Sequence, residues 1–307
     1  MNTIQVSIII VNYNTKDFLK NCIDSIYKHT SEVEYEILVS DNGSTDGSLE
    51  MLSQDYPKVH VIANGKNLGF GAANNRALDV AQGKYIFYLN SDTLLLNNSL
   101  KIFYDYFEAH QNEKLGAIGG MLLDENERFI HSGGNFPSLK SELLDLIKLN
   151  IGNVYLTLGT ILRFKNMHKN HFAKEEYGQI DFITGADIFL KNDEYARFDE
   201  DFFLYYEDTF LQYKMKLAGL ERRIIPDTKI IHLCGGSVGE GMTIYRKASF
   251  SRINYEFSRI RFLRKTNTNK KSASSGIKFC KFLIIFSWIN PFICKKTKPY
   301  FKKLLNL

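Results

Sequence analysis

The chain has 307 residues, 24% of them charged and 44% from the AVILMFWYC set, which excludes a disordered chain, a collagen-like chain and a disulfide-stapled miniprotein. The formal net charge of +5 is unevenly placed: Phe257–Leu307 holds 13 Lys/Arg and no acid, leaving 26 basic against 34 acidic residues before it. An acidic body at −8 therefore precedes a strongly basic tail, and charge must be read by region.

Met1–Gln5 has no positive n-region, and Val6–Val11 is too short for a signal-peptide core. No stretch reaches the roughly 18 uninterrupted apolar residues of a spanning helix. Cys22, Cys234, Cys280 and Cys294 form no CxxC and read as free thiols of a reducing compartment. Together these features predict an intracellular protein that does not span the membrane.

In chain order, Val6–Val11 (VSIIIV) reads as a buried strand, followed by the polar turn Asn12–Asn14. Lys16–His29 has helical spacing of Phe18, Leu19, Cys22, Ile23 and Ile26. Tyr35–Val39 is the next strand, then the turn and cap cluster Asp41–Ser44, and a helix over Gly47–Gln54. Val59–Ala63 is a third strand, Gly69–Ala81 a helix, Tyr85–Leu89 a fourth strand and Ser99–His110 a helix. Four such β-loop-α units predict a parallel α/β sheet with helices on both faces. Ligands of these sheets sit beyond the strands' carboxyl ends, where Asn12–Asn14, Asp41–Ser44, Asn64–Gly71 and Asn90–Asp92 all fall.

The second half is less regular. Ala117–Leu123 reads as a strand, Ile180–Leu190 as strand and turn, Tyr205–Leu217 as a helix, and Ile224–Ile225 and Lys229–His232 as two short strands. Ser138–Lys174 is irregularly apolar and matches no period. Thr266–Gly276 reads as a polar connector, and Ile277–Cys294 is apolar and aromatic.

Several groups could carry chemistry. Asp92, two residues after Asn90 at a strand end, could hold a hard divalent cation together with a diphosphate; N-S-D-T is also a helix-cap sequence. Asp41 could accept a hydrogen bond from a nucleobase, and D-N-G-S is also a common Asx turn. The glycine run of Asn64–Asn75 fails the dinucleotide fingerprint, because Asn74 stands at the third glycine position and the run follows the third strand. Glu207-Asp208 at a helix start suits the macrodipole or, in an aromatic-walled pocket, could include a base for an attacking hydroxyl. His232 reads either as a packed histidine or as a metal ligand.

At this point the chain resembles the family 2 glycosyltransferases of GT-A fold, and most of all the rhamnosyltransferase-like branch of bacterial surface polysaccharide synthesis (lipopolysaccharide or capsule). The matching segments, in family order over roughly residues 6–240, are VSIIIVNYN (Val6–Asn14), SDNGSTDGS (Ser40–Ser48), NLGFGAANNRAL (Asn67–Leu78), YIFYLNSDT (Tyr85–Thr93), GGMLLDENERFIHSGG (Gly119–Gly134), TGADIFL (Thr184–Leu190), FDEDFFLYYED (Phe198–Asp208) and IHLCGGSV (Ile231–Val238). The resemblance implies a GT-A-type, mostly parallel sheet flanked by helices, covering residues 1–256. Residues 1–115 would form the nucleotide-binding half and 116–256 the acceptor half.

By the same resemblance, Val11, Tyr13 and Asp41 hold the donor's nucleotide, with Asp41 on the base, and Asn67 and Gly69 join that cradle. Asn90-Ser91-Asp92 stands for the DxD-type motif, with Asp92 binding Mg²⁺ or Mn²⁺ and His232 reaching the metal. Asp208 is the catalytic base, Glu207 an acceptor contact, and Thr184–Ala186 the loop between donor sugar and acceptor. The implied reaction is a single displacement with inversion from a dTDP-, UDP- or GDP-sugar to a glycan or lipid-linked glycan. Asn90 replaces the usual first acid, Phe210 replaces an acid after E-D-x, and Phe198 lacks the usual preceding glycine pair.

The tail, residues 257–307, reads as a basic amphipathic helical segment. Phe282–Cys294 is its charge-free stretch, too short for a span, and Lys278, Lys281 and Trp288 fit a helix lying in an anionic membrane interface. Docking on the domain or on a second copy is the alternative, and a homo-oligomer stays open. Nucleic acid is disfavoured as a partner, because the aromatics sit inside an aliphatic run. Two other functions are weighed. A nucleotidyltransferase would need a Gly-rich basic loop after the first strand, which Asn12-Tyr13-Asn14 lacks. A non-catalytic sugar-nucleotide module would not need Asp41, Asp92 and Asp208 together.

Overall fold

The computed structural model describes residues 3–161, 177–233, 250–267, 270–288 and 297–307. The chain forms two compact units. The first comprises Met1–Phe136, Phe172–Phe203 and Glu207–Gly239; the second takes Pro137–His171, Leu204–Tyr206 and Glu240–Leu307. The charge profile divides the chain at residue 256, whereas the second unit also gathers Pro137–His171, Leu204–Tyr206 and Glu240–Glu256 from the acidic body.

The first unit is built on β1 (Val6–Asn12), β2 (Tyr35–Asp41), β3 (His60–Ala63) and β4 (Tyr85–Asn90), parallel in the order β3-β2-β1-β4. The sheet continues through β10 (Asp187–Lys191), β6 (Leu115–Leu123), β11 (Glu221–His232) and β5 (Thr93–Leu95), with β8 (Gly178–Ile180) on β11. β10 runs antiparallel to β4 and β6, while β11 runs parallel to β6, so the sheet is mostly parallel in direction. β7 (Gly133–Gly134) and β9 (Phe182–Ile183) form a separate small ribbon.

β1 is central because both its faces are apolar. Ile8 and Ile10 join one core with Leu19, Cys22, Ile23 and Ile26 of α1 (Lys16–His29). Ile9 joins the opposite core with Leu38, Ile86, Tyr88 and Ala77 of α3 (Phe70–Leu78). This is the two-residue alternation of a strand covered on both sides. On the first face Phe189 lies 5.3 Å from Tyr85, 5.7 Å from Phe103 and 5.6 Å from Phe107, ring centre to ring centre. Phe103 and Phe107 come from α4 (Ser99–Ala109), so this aromatic cluster fixes that helix on the sheet. The sequence expectation of two short strands at 224–232 becomes one strand, β11, with a register shift between Ile225 and Ile230. Pro226 cannot donate to the ladder, which accounts for the interruption.

The second unit is helical. Its elements are α5 (Leu139–Ile161), α7 (Phe250–Thr266), α8 (Lys270–Trp288), a 3₁₀ turn (Lys298–Tyr300) and α9 (Phe301–Asn306). α6 (Glu207–Leu217) belongs to the first unit. The stretch from Ser138 that shows no period in sequence is mostly α5, and the expected polar connector Thr266–Gly276 is largely the first turns of α8. Leu146, Phe257, Ile260, Leu263, Ile284 and Trp288 lie in one shared core. Within it Arg259 Nε sits 2.6 Å from Glu142 Oε2, and its Nη1 donates to Glu256 Oε2 at 2.8 Å. Tyr206 OH donates to the other Glu142 oxygen at 2.9 Å. Burial pushes the Glu142 carboxyl up, and Arg259 opposes that shift. Tyr205 and Tyr206 both hold left-handed backbone, with φ of 69° and 65°, which non-glycine residues seldom adopt.

Among the described residues no helix is long and apolar enough to cross a membrane. Cys22 and Cys280 are free thiols, both buried; Cys234 and Cys294 lie outside the described residues. Removing one partner of a buried ion pair leaves a bare charge behind. Arg259→Met, which strips the countercharge from Glu142 and Glu256, is expected to cost about 3–5 kcal/mol, measured by urea denaturation.

Candidate active site

The loops that follow β1, β2 and β4 are joined by one chain of hydrogen bonds. Asn12, fully buried at the end of β1, donates through Nδ2 to Asp41 Oδ1 at 2.8 Å and to Ser44 Oγ at 3.0 Å. Its Oδ1 accepts from Thr15 Oγ1 at 2.7 Å, and Thr15 Oγ1 lies 3.0 Å from Ser91 Oγ. Asp41 Oδ2 accepts from the N–H groups of Gly43 and Ser44 at 3.1 and 2.9 Å. The Asx-turn reading of D-N-G-S is thus realised: Asp41 is fully buried and orders its own loop. Tyr13 stands beside it, 44% exposed, and Val11 is half-buried above the strand end.

Asn67 and Gly69 serve the neighbouring loop. Asn67 Oδ1 accepts from Gly69 N–H at 2.9 Å, and Asn42 Nδ2 donates to Gly69 O at 3.1 Å. Gly69 has φ +89°, and a Cβ there would fall 2.2 Å from Phe203 O. The glycines of N-L-G-F-G thus let α3 approach Phe198–Phe203, and Asn75 then holds Phe198 by both its N–H and its carbonyl. Phe198 itself packs on Tyr88 at 4.9 Å.

Asp92 and His232 meet because β5 and β11 pair Thr93 with His232, and Leu233 N–H donates to Asp92 O at 2.9 Å. Asp92 Oδ1 lies 3.3 Å from His232 Nε2. A carboxylate oxygen and an imidazole nitrogen side by side are donors that could hold Mg²⁺ or Mn²⁺. Among the described residues no group of three or more His, Cys, Asp or Glu could hold a metal ion.

Asn90 contributes backbone. Its N–H donates to Ala186 O at 2.9 Å, and its carbonyl accepts from Thr93 Oγ1 at 2.8 Å. The first of these bonds ties the N-S-D motif to the Thr184–Ala186 loop. That loop meets Asp208: a Cβ on Gly185 would lie 3.1 Å from Asp208 Oδ2. Gln212, fully buried on α6, accepts from Ile183 N–H at 2.8 Å and donates to Ile183 O at 2.7 Å, clamping the loop to the helix. Burial pushes the Asp208 carboxyl up, and hydrogen bonds from Thr209 and Gly185 offset part of the rise. Glu207 is buried against Gly71, and Phe210 fills its place by ring contact with Phe202 at 5.3 Å.

Asn12, Thr15 and Gln212 are the positioning residues that pattern reading missed. A fourth is Asp187, at the start of β10 on the face that carries Phe189. It is fully buried; its Oδ2 accepts from Gly120 N–H, and its Oδ1 has no partner. Burial raises this carboxyl to about 8.

The sheet has the GT-A architecture of solved glycosyltransferases. Residues 7–165 match the family described as Glycosyl transferase family 2, and the chain belongs to that family. It is 36% identical over 123 residues to a poly(ribitol-phosphate) beta-glucosyltransferase of Bacillus spizizenii, a match covering 38% of this chain and 19% of that longer protein. It is 24% identical over 249 residues to an N-acetylglucosaminyl-diphospho-decaprenol L-rhamnosyltransferase of Mycobacterium tuberculosis, covering 76% of this chain and 77% of that one. Among solved structures, the mannosyltransferase PcManGT of Pyrobaculum calidifontis, in complex with GDP-Man and Mn²⁺, aligns with a TM-score of 0.53 at 14% identity, over 92% of this chain and 72% of that one.

Asp187 gives a pH test. An unfolded aspartate titrates near 3.9, the folded one at about 8. The folded chain therefore keeps a proton that the unfolded chain releases, and stability falls as pH rises between these values, by about 1.4 kcal/mol per unit. Asp187→Asn should remove this slope between pH 4 and 8 in urea denaturation series, with its advantage over the wild type levelling off above pH 8.

Proposed function

We propose that the chain transfers a sugar, rhamnose as first choice, from a nucleoside-diphosphate donor to a hydroxyl of a lipid-linked or polysaccharide acceptor, with inversion. The observation that carries the reading is the run of contacts from Asn90 to Ala186 and from Gly185 to Asp208. It sets a raised carboxylate beside the Thr184–Ala186 loop, which is itself bonded to the Asn90-Ser91-Asp92 motif. The relative's name, an L-rhamnosyltransferase acting on a diphospho-decaprenol glycan, supports both the sugar and the acceptor class. dTDP is the expected nucleotide, with UDP and GDP as alternatives.

The loop ordered by Asp41 and Asn12, with Tyr13 and Val11 beside it, takes the nucleobase, and Asn67 and Gly69 complete the cradle. Asp92 and His232 would hold Mg²⁺ or Mn²⁺, whose Lewis acidity stabilises a departing diphosphate. Asp208 accepts the proton of the acceptor hydroxyl as that oxygen attacks the anomeric carbon. A carboxylate made more basic by burial suits this step, which contributes about 10²–10⁴ in rate. Glu207 stands next to it to orient the acceptor. The basic C-terminal residues keep the enzyme at the cytoplasmic face of an anionic membrane, where a lipid-linked acceptor resides.

Asp208→Asn should retain donor binding, read by nucleotide-induced thermal stabilisation, while kcat falls about 10²–10⁴-fold. Near-normal turnover would remove Asp208 as the base. Asp92→Ala should abolish the dependence of turnover on added Mn²⁺, and an unchanged Mn²⁺ titration would remove Asp92 from the metal.

A further inference from the structure

Outside the transferase site, cations gather in the helical unit. A cleft of about 400 Å³ is lined by Arg264 and Asn267 at the end of α7 and by Ser274, Ile277, Lys278 and Lys281 of α8. Three of these residues are cations, and no acid lines the cleft. Burial lowers the Lys281 ammonium, and the charges of Arg264 and Lys278 lower it further. Lys281 Nζ donates to the neutral carbonyl of Leu305 at 3.0 Å, which leaves its charge uncompensated. Like charges held together in this way are relieved by an anion.

The same helix carries an apolar row next to these cations. At about 100° per residue, the order around α8 is Lys281, Ser274, Lys278, then Phe282, Phe286 and Phe279. These rings are 58%, 49% and 47% exposed. They stack along the helix with centres 6.2 and 6.3 Å apart, forming a continuous uncovered strip. A cationic edge bordering an exposed aromatic strip is the pattern of a helix at a bilayer surface, with charged heads in the headgroup layer and rings below. A free anion leaves the strip without a function, and a second copy would bring two cationic edges together.

We propose that this cleft binds the phosphate headgroup of an anionic lipid, with Phe279, Phe282 and Phe286 entering the acyl boundary. The proposal rests on the membrane reading given above and narrows it to one built site. The test is sedimentation of the full chain with vesicles of phosphatidylcholine alone, or of an equimolar mixture with phosphatidylglycerol. The wild type should pellet with the mixed vesicles only. Each cation near an anionic surface is worth about fivefold in affinity, so Arg264→Gln, Lys278→Gln and Lys281→Gln together should weaken binding about a hundredfold. Lys278→Glu, at an exposed position, repeats the test in a variant with little risk to the fold. Combined Phe279→Ser, Phe282→Ser and Phe286→Ser should release the protein from the vesicles.

A wild type that ignores mixed vesicles overturns both the membrane reading and this site. A wild type that binds, with the cation variants binding equally well, overturns the site alone. Stabilisation by inorganic phosphate that the cation variants abolish, without vesicle binding, identifies a free-anion site and overturns the lipid. Self-association lost in the phenylalanine variant, in place of vesicle binding, identifies a second copy and also overturns it. Nucleotide-induced thermal stabilisation, read on the same samples, reports the donor site independently of these outcomes.

Discussion

The bond from Asn12 Nδ2 to Asp41 Oδ1 is the contact on which the site's geometry turns. Both groups are fully buried at the ends of adjacent parallel strands. A buried amide and a buried carboxylate are costly unless satisfied, and here each helps to satisfy the other. Because Asn12 also receives Thr15 and Asp41 also receives two backbone N–H groups, a shift in either loop breaks several bonds at once. In these loops the polar groups are spent on one another.

The same economy holds around Asp208. Gly185 brings backbone against its carboxyl, and Gln212 fastens the adjoining strand to the helix that carries it. The carboxyl of Asp208 is raised because these contacts exclude water without supplying a countercharge. Asp187 shows the extreme of this principle. It has one hydrogen bond and no cationic partner within bonding distance, so its carboxyl is kept neutral at physiological pH rather than paired. The first unit thus raises the carboxyls of Asp187 and Asp208, and of these two Asp208 is the one beside the Gly185 loop.

β1, β2 and β4 were legible in sequence because their buried stretches are apolar runs, and Lys16–His29 because its apolar residues keep one face. α5 was not legible, since Leu144, Ile147 and Ile151 are exposed on it while Leu146 is buried, which erases the amphipathic period. β5 is three residues long, below any periodic signal. The acids of the site were visible as motifs through family resemblance. Their supports were not: Asn12 acts across 29 residues to Asp41, and Gln212 across 29 to Ile183. No local pattern encodes such contacts. The glycine run of Asn64–Asn75 fails the dinucleotide fingerprint, and close packing against Phe203 accounts for Gly69.

The absence of acids after Glu256 has a structural price and a consequence. Helices α7, α8 and α9 cannot be stabilised by acid–base pairs along their own exposed faces, which usually lend a few tenths of a kcal/mol each. Their cohesion comes instead from aromatic and aliphatic burial around Trp288 and from the one buried cation, Arg259, held by Glu142 and Glu256. Those two acids are consumed inside. No acid is among the residues that line the α7–α8 cleft, and its cations lie next to rings that water does not favour. Both deficits, of negative charge and of apolar cover, are met by one kind of surface, an anionic bilayer, and by few others.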